Sequence, residues 1–287
     1  MSEMLKVKNL NKSFGEYKIL SNINFEIQKG DIVGLIGKNG SGKTTLMKMI
    51  LGFTPLSSGD ISFKENSYYR QEEFLSKIGF LLDCKLFEDF SAYDNLKLFS
   101  KYSKHQIKNL DEHISELLQF VGLDNTKKQV KTFSFGMKQR LGLALALLND
   151  PDFLILDEPF VGLDPIGVKL LLDYIVKLRS EKGVTILISS HQLHEIEEIC
   201  DYFFLIHNNC IEWHSSIDKS KIVITIEKMS QELRNRLADL VDIRNTEIEI
   251  PNNMTLLNTV LKIIYEMNGN IRKLNVINSL QDLFEEE

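Results

Sequence analysis

The sequence predicts an α/β fold built on a parallel central sheet, followed by a smaller α/β appendage. Three observations predict it. A buried strand over residues 31–36 enters a glycine-rich turn and then a helix from about Lys43. An apolar run over residues 153–156 ends in an acidic turn, as a central strand covered on both faces would. The alternation of strand and helix patterns then restarts, with weaker signals, over residues 216–287.

The elements follow from local patterns. Residues 1–36 are predicted to be rich in strands, because Ile23, Phe25 and Ile27 alternate with polar residues. From about residue 91 to 150 the pattern is helical, and Ser91 with Asp94 signals a helix start. An apolar stripe at helical spacing stops at Gly122. The stripe consists of Ile107, Leu110, Ile114, Leu117, Leu118 and Val121.

After Pro159 the pattern alternates again. Asp164-Pro165 predicts a helix start and Gly183 its end, with a strand over residues 184–189 behind it. The C-terminal region is predicted to form strands near 221–226, 247–250 and 271–276, and helices near 231–240 and 256–267. We therefore expect a first domain over residues 1–215, with a helical part at about 88–150, and a small accessory α/β domain over residues 216–287.

Net charge, the length of apolar stretches and cysteine spacing limit the classes of protein that the chain can belong to. The formal net charge is −6 at pH 7, so the chain lacks the basic footprint of a nucleic-acid-binding protein, and we expect no nucleic-acid partner. The longest apolar stretch, residues 141–148, is far shorter than a membrane span of about 20 residues. No signal-peptide pattern opens the chain. The three cysteines lack C-x-x-C spacing, so we expect a reducing, cytoplasmic location.

The run from Gly37 to Thr44 fits G-x-x-x-x-G-K-[ST], a loop whose backbone N–H groups point at phosphates. The helix that follows adds its positive N-terminal end. Lys43 would supply a positive charge for the β- and γ-phosphates, and Thr44 a hydroxyl for Mg²⁺. The nucleotide-binding residues predicted here are Gly37, Lys38, Asn39, Gly40, Ser41, Gly42, Lys43, Thr44 and Thr45.

An acidic pair complements the phosphate loop. Asp157 and Glu158 follow the apolar run over residues 153–156, at the strand end where open α/β sheets bind ligands. A carboxylate at Asp157 can hold Mg²⁺, directly or through water, and Glu158 can orient and deprotonate a water. Together, the two features predict a nucleoside triphosphate hydrolase.

These residues make the chain resemble the ATP-binding subunits of ABC transporters over about residues 4–215. Phe133-Ser134-Phe135-Gly136-Met137 stands where that family has its L-S-G-G-Q signature. Gly162-Leu163-Asp164-Pro165 is similar to the D-loop, and Ser189-Ser190-His191 to the switch-histidine motif. Phe14-Gly15 falls where an aromatic ring stacks on adenine. Six motifs stand in the family's order.

The resemblance implies an ABC-type ATPase core, which is a mixed sheet with an antiparallel β subdomain and a helical subdomain. It implies ATP and Mg²⁺ as cofactors, Phe14 at the adenine, and Glu158 and His191 as the catalytic pair, with His191 sensing the γ-phosphate. It also implies a head-to-tail homodimer. In that dimer each ATP is held by the phosphate loop of one subunit and the signature of the other, through Ser134, Gly136 and Asp164.

The chain departs from the family pattern at two places. The signature has Phe135 for its first glycine and Met137 for its glutamine, while the serine and the second glycine remain. Asp83 stands where the family usually has the Q-loop glutamine, so it could be a further Mg²⁺ ligand or could couple nucleotide state to a membrane partner. Both departures are similar to the bacitracin-resistance and lantibiotic-immunity branch.

The resemblance implies that the chain powers a separate membrane permease from the inner face of the cell membrane, for export of, or immunity to, an antimicrobial peptide. The alternative is an ABC-type ATPase that acts as a mechanical clamp on ribosomes or DNA. Such proteins usually carry two cassettes or long coiled coils, and this chain has one cassette and no heptad run. His191 and His194 could form a metal pair, but no clear third ligand completes it.

Overall fold

The computed structural model describes residues 2–64, 66–67, 76–82, 85–102, 107–123, 127–191, 193–215, 220–238, 240–251 and 253–278. The chain divides into two compact units, Met1–Ser215 and Ser216–Glu287. Among the described residues, no helix has both the length and the apolar character needed to cross a membrane.

Among its described residues, the first unit contains ten strands and five α-helices. The strands are β1 (Glu3–Phe14), β2 (Tyr17–Gln28), β3 (Ile32–Ile36), β4 (Ser58–Phe63), β5 (Asn66–Ser67), β6 (Ile78–Leu81), β7 (Phe153–Leu156), β8 (Thr185–Ser190), β9 (Tyr202–His207) and β10 (Cys210–Ser215). The α-helices are α1 (Lys43–Ile50), α2 (Ala92–Ser100), α3 (Leu110–Phe120), α4 (Phe135–Leu147) and α5 (Pro165–Lys182). Short 3₁₀ turns lie at Val130–Thr132 and Leu193–Glu195.

The described strands of this unit form two sheets. The central sheet has the order β10-β9-β3-β8-β7-β6 and is parallel except for the antiparallel pair β9–β10. The second sheet is antiparallel, with the order β2-β1-β4-β5. One hydrophobic core joins buried side chains of β1 and β2 to those of the central strands and α1. The predicted α/β fold, with its mixed sheet and antiparallel subdomain, is confirmed.

Polar groups anchor the start of β3, the strand that leads to the phosphate loop. The Ile32 N–H donates to Asp201 Oδ2 at 2.9 Å, and Arg179 of α5 pairs with the other oxygen of that carboxylate at 2.9 Å. Tyr202 donates its hydroxyl hydrogen to Asp31 Oδ2 at 2.9 Å. Burial is the main cause that raises the pKa of both Asp31 and Tyr202. Arg179 of α5, Asp201 before β9 and Tyr202 at its start thus hold the start of β3 in place.

The predicted helix ends are confirmed where capping residues were read from the sequence. Ser91 accepts a hydrogen bond from the Asp94 N–H at 3.1 Å and caps α2. Asp164 caps α5 by accepting from the Gly167 N–H at 2.8 Å, and Gly183 ends that helix in the left-handed conformation.

Two boundaries were predicted wrongly. Ile107 lies outside α3, because Asn109 has a left-handed backbone with φ of 51° and the helix starts only at Leu110. In the second unit the helix predicted over 231–240 ends at Leu237, and a short unpredicted strand at 242–244 pairs with the strand after it. The helix ends early because residues 242–244 pair as a strand with residues 247–249.

The described residues of the second unit form an antiparallel sheet and two helices. Its strands are β11 (Ser220–Ile226), β12 (Asp242–Arg244), β13 (Glu247–Pro251) and β14 (Ile271–Asn278), in the order β12-β13-β11-β14. Its helices are α6 (Gln231–Leu237) and α7 (Met254–Glu266). Buried residues of α7, such as Val260 and Ile264, join Ile224 and Ile248 of the sheet in a separate core.

Gly79 of β6 lies so close to the backbone of α4 that there is no room for a side chain. A Cβ atom at this position would lie 2.0 Å from the carbonyl oxygen of Ala146 in α4 and 3.0 Å from Pro151 Cγ. We expect Gly79→Ala to destabilise the protein by about 3 kcal/mol, because backbone must move to relieve the overlap. That loss corresponds to a fall in Tm of roughly 6–12 °C for a domain of this size, measured by thermal unfolding.

Gly183→Ala is the matched control for this prediction. Gly183 has a left-handed φ of 64° and nothing within 4 Å of the added Cβ. Only the backbone penalty of about 1–2 kcal/mol then applies. A decrease in Tm for Gly79→Ala no larger than that for Gly183→Ala would contradict the close approach of β6 and α4.

Candidate functional site

The strand order brings three chain segments to one edge of the central sheet. β8 lies between β3 and β7, and all three strands are parallel, so their carboxyl ends meet. The phosphate loop follows β3, the acidic pair follows β7, and His191 follows β8. This edge is where open α/β sheets bind ligands.

The phosphate loop runs from Gly37 into α1, which starts at Lys43 as predicted. Lys38, Asn39 and Gly40 are exposed, whereas Gly42 is buried. The Ser41 hydroxyl oxygen is buried and has no hydrogen-bond partner among the residues that the structure describes. Because a buried polar atom without a partner is costly, this hydroxyl fits a loop that is completed by an anionic ligand. Thr45 lies one residue further along α1 and is half-buried.

Lys43 has only 5% of its side chain exposed. Its Nζ donates to the Gly37 carbonyl oxygen at 2.7 Å and lies 3.2 Å from Glu158 Oε1. The contact between Lys43 and Glu158 Oε1 is an ion pair by distance. Because Oε1 makes no hydrogen bond, the attraction is electrostatic. The ammonium group is therefore held between the phosphate loop and the acidic pair.

Asp157 joins the phosphate loop to β8. Its Oδ2 accepts from the Thr44 hydroxyl at 2.6 Å, and its Oδ1 accepts from the Ser189 hydroxyl at 2.6 Å. Thr44 and Asp157 thus place two hard oxygen atoms side by side. Mg²⁺ in proteins is usually held by one or two carboxylates together with substrate phosphates, and this pair fits that pattern. Within the described residues, no cluster of three or more His, Cys, Asp and Glu side chains could hold a metal by itself.

Glu158 is held in a strained conformation beside His191. Its backbone has φ of 46°, in the left-handed region that is uncommon for residues with a side chain. Its N–H donates to Ser189 Oγ at 2.8 Å. Its Oε2 lies 2.7 Å from His191 Nδ1, which must carry the hydrogen because a carboxylate only accepts. The other carboxylate oxygen, Oε1, is a buried acceptor without a hydrogen bond.

Ser189 is a site residue that the sequence reasoning named only as part of a motif. Its hydroxyl donates to Asp157 and accepts from the Glu158 N–H, so it holds both acidic residues in place. The side chain is fully buried. The signal was present in the sequence, since Ser189 directly follows the apolar residues 186–188 of β8 and a buried hydroxyl needs partners.

Phe14 ends β1 at the hairpin to β2, with 53% of its side chain exposed. The ammonium group of Lys12 lies 4.5 Å from the centre of its ring and donates to the Pro55 carbonyl oxygen at 2.7 Å. A cation over one face orients the ring. Lys12, which the sequence reasoning missed, therefore fixes the orientation of an exposed aromatic ring.

Ser134, Gly136 and Asp164 form a second group of predicted site residues. Ser134 caps α4 by accepting from the Met137 N–H at 3.2 Å, and Asp164 caps α5. All three residues line one cavity of about 430 Å³ between the N-terminal ends of α4 and α5. A second cavity of about 660 Å³ is lined by Asp157 and Glu158 and by residues of α4.

Asp83 and the neighbouring Cys84 lie outside the described residues, and so does the side chain of His194. His191 is placed beside Glu158.

Comparison with known proteins agrees with this geometry. Residues 20–161 match the family described as "ABC transporter". The lantibiotic transport ATP-binding protein SrtF of Streptococcus pyogenes is 44% identical over 220 residues, which are 76% of this chain and 93% of SrtF. The bacitracin transport ATP-binding protein BcrA of Bacillus licheniformis is 43% identical over 210 residues, which are 72% of this chain and 68% of BcrA.

Solved structures show the same fold. The structure of cbiO1 from Clostridium perfringens, part of the ABC transporter complex cbiONQ, is 29% identical with a TM-score of 0.68, over 75% of this chain and 90% of cbiO1. An ATP-binding cassette solved as a dimer with ADP and Pi in a post-hydrolysis state is 23% identical, with a TM-score of 0.66 over 74% of this chain and 99% of that one. The chain belongs to the ABC transporter family as one of its ATP-binding, ATP-hydrolysing subunits.

Proposed function

We propose that this subunit powers a separate membrane permease that exports, or gives immunity to, antimicrobial peptides of the lantibiotic or bacitracin type. The observation that carries the proposal is the similarity to SrtF and BcrA, at 44% and 43% identity over most of the cassette. Peptides of this kind act at the bilayer, so a permease can remove them only if ATP binding and hydrolysis drive its conformational cycle.

In the proposed site the triphosphate lies along the phosphate loop, residues 37–45. The positive end of α1 and the Lys43 ammonium group bind the β- and γ-phosphates. Contact with Glu158 and Gly37 already holds that ammonium group in the loop. The partnerless Ser41 hydroxyl supports a ligand at this place. The exposed ring of Phe14 stacks on the adenine.

Thr44 and Asp157 are the proposed Mg²⁺ ligands, because their oxygens lie 2.6 Å apart at the end of the phosphate loop. Asp83 is a further candidate ligand, or else couples nucleotide state to the permease. When bound, Mg²⁺ would neutralise charge that develops on the phosphate oxygens. Ser189 keeps Asp157 oriented through its 2.6 Å hydrogen bond to Oδ1.

Glu158 is the proposed general base and His191 its partner. A water would lie beside Oε1, which makes no hydrogen bond, and would give a proton to the carboxylate. The oxygen of that water would attack the γ-phosphorus while the bond between the γ-phosphorus and the β-phosphate oxygen breaks. The Nδ1–H of His191 donates to Oε2 and so fixes the carboxylate. His191 would also sense the γ-phosphate.

Ser134, Gly136 and Asp164 are proposed to act on the ATP of a second subunit. They lie at the N-terminal ends of α4 and α5, where N–H groups and helix dipoles favour an anion. We infer a head-to-tail homodimer in which two ATP molecules bridge the subunits. A cassette of the same fold has been solved as a dimer with ADP and Pi, which supports this arrangement.

The domain roles complete the proposal. Residues 1–215 are assigned to the ATP-binding domain, with the helical subdomain at about 88–150, and residues 216–287 to a small accessory domain. The compact units Met1–Ser215 and Ser216–Glu287 support this division. The permease would hold the dimer at the cytoplasmic face of the cell membrane.

A growth experiment tests the peptide assignment. We expect deletion of the gene to increase the sensitivity of the host to at least one member of a panel of lantibiotics and bacitracin, measured as the minimal inhibitory concentration. Complementation with the wild-type chain should restore resistance. Complementation with Glu158→Gln should not, because transport needs ATP turnover.

Affinity purification from the membrane fraction is the companion measurement, and a permease should copurify with the chain. Unchanged sensitivity to the whole panel would contradict the peptide assignment while leaving the transport role in place. Copurification with ribosomes or DNA in place of a membrane protein would contradict the transport role itself.

A further inference from the structure

Phe135 is a large aromatic residue at an unusual place. It is the first residue of α4, directly after the capping Ser134, and 50% of its side chain is exposed. It replaces the first glycine of the family's signature. The structure shows what the ring contacts.

The ring of Phe135 packs over Gly162. A Cβ atom at Gly162 would lie 3.0 Å from two atoms of the ring, closer than ordinary van der Waals contact. Leu163 and Gly136 make the reciprocal contact. A Cβ atom at Gly136 would lie 3.2 Å from Leu163 Cδ2. Each segment thus presents one large apolar side chain to a glycine of the other. The start of α4 and the loop before α5 interlock.

The loop that Phe135 contacts leads directly back to Glu158. Gly162 lies four residues after Glu158 in the chain. The Val161 N–H donates to the Glu158 carbonyl oxygen at 3.3 Å, and the Leu163 N–H to that of Phe160 at 3.0 Å. These hydrogen bonds make a compact turn between the acidic pair and Asp164. A displacement of Gly162 would therefore act on the backbone of Glu158, which is in the left-handed conformation.

Phe135 also lines both cavities of this region. One contains Ser134, Gly136 and Asp164, and the other contains Asp157 and Glu158. The Phe135 side chain therefore lies beside both the residues proposed to contact the partner's ATP and the proposed hydrolytic centre. No residue of the phosphate loop is among those that line either cavity.

We propose that Phe135 is a positioning residue that couples the signature end of α4 to Glu158 through its contact with Gly162. The inference rests on the proposed two-subunit arrangement, in which Ser134 contacts one ATP and Glu158 hydrolyses the other. Occupation of one site then orients the base of the second, so the two sites hydrolyse ATP cooperatively. Neither of the cavities that Phe135 lines includes a residue of its own phosphate loop, so the coupling needs no contact between Phe135 and the nucleotide bound there.

A double-mutant cycle on the purified full-length chain tests the contact. We expect Phe135→Ala to lower kcat for ATP roughly tenfold, as misplacement of a catalytic group does. Gly162→Ala should lower kcat in the wild-type background at least about fivefold more than in the Phe135→Ala background, because the ring is what the new Cβ meets. The left-handed backbone strain of Gly162→Ala is present in both backgrounds and cancels from the comparison.

Further readouts separate positioning from a loss of folding. Binding of a non-hydrolysable ATP analogue at low protein concentration should change less than about twofold in Phe135→Ala, because the phosphate loop is untouched. Phe135→Leu should recover most of kcat, since it keeps an apolar side chain over Gly162. Phe90→Ala is the matched control, because Phe90 is similarly exposed at 44% and lines neither cavity.

The dependence of the ATPase rate on ATP concentration tests the coupling. The wild-type Hill coefficient should exceed one, and that of Phe135→Ala should fall towards one. A Hill coefficient that stays at a cooperative wild-type value in Phe135→Ala, or equal effects of Gly162→Ala in both backgrounds, would overturn the inference alone. A wild-type coefficient of one would overturn the coupling, whereas failure of Glu158→Gln to form a dimer with ATP in gel filtration would contradict the two-subunit arrangement itself.

Discussion

Glu158→Gln is expected to bind ATP normally and to hydrolyse it roughly 10²–10⁴-fold more slowly than the wild type. The amide oxygen can still accept the hydrogen bond from His191, which lies 2.7 Å from the carboxylate, so the local geometry is retained. The amide cannot accept a proton from the attacking water. The variant should therefore accumulate as an ATP-bound dimer.

Phosphate release under saturating ATP measures the turnover, and gel filtration with ATP measures the dimer. Glu197→Gln is the matched control, because Glu197 is an exposed glutamate in the segment after β8. It should hydrolyse ATP at the wild-type rate. Turnover by Glu158→Gln at that same rate would exclude Glu158 as the general base.

Lys43→Ala is expected to lose ATP affinity itself. The ammonium group supplies a charge-assisted phosphate contact worth about 1.5–3 kcal/mol, which corresponds to an increase in Kd of roughly 10–150-fold. The substitution also removes the cation 3.2 Å from Glu158 Oε1. The buried carboxylate oxygen then faces the nucleotide without a compensating charge, which lowers the affinity further.

Titration calorimetry with ATP and Mg²⁺ measures this affinity. Lys48→Ala on the same helix is the control, because Lys48 lies in the last turn of α1, away from the phosphate loop. Its Kd should stay at the wild-type value. Equal affinity of Lys43→Ala and the wild type would mean that residues 37–45 are not where the triphosphate binds.

The two variants separate two steps of the cycle. Lys43→Ala should fail at binding, whereas Glu158→Gln should bind and fail at hydrolysis. Both side chains lie in one ion pair in the structure, yet we expect different phenotypes, because Lys43 binds phosphate and Glu158 accepts a proton. Nucleotide phosphates would replace Glu158 as the partner of the ammonium group.

The sequence by itself determined the features that depend on local spacing. The phosphate loop, the apolar strand before Asp157 and the capping residues Ser91 and Asp164 are each contained within a few residues, so their patterns can be read directly. The same local motifs also identified the family. Boundaries such as Ile107 were missed because a single left-handed residue, Asn109, decides where α3 begins.

Only the tertiary structure decided which of these motifs meet. Thr44 and Asp157 are 113 residues apart in the chain and bond at 2.6 Å only because β8 lies between β3 and β7. The same strand order places Ser189 where it can hold both acidic residues. The contact of Phe135 with Gly162 likewise joins two helix starts from distant parts of the sequence. Side-chain contacts of this kind depend on strand order and helix packing, which local periodicity does not specify.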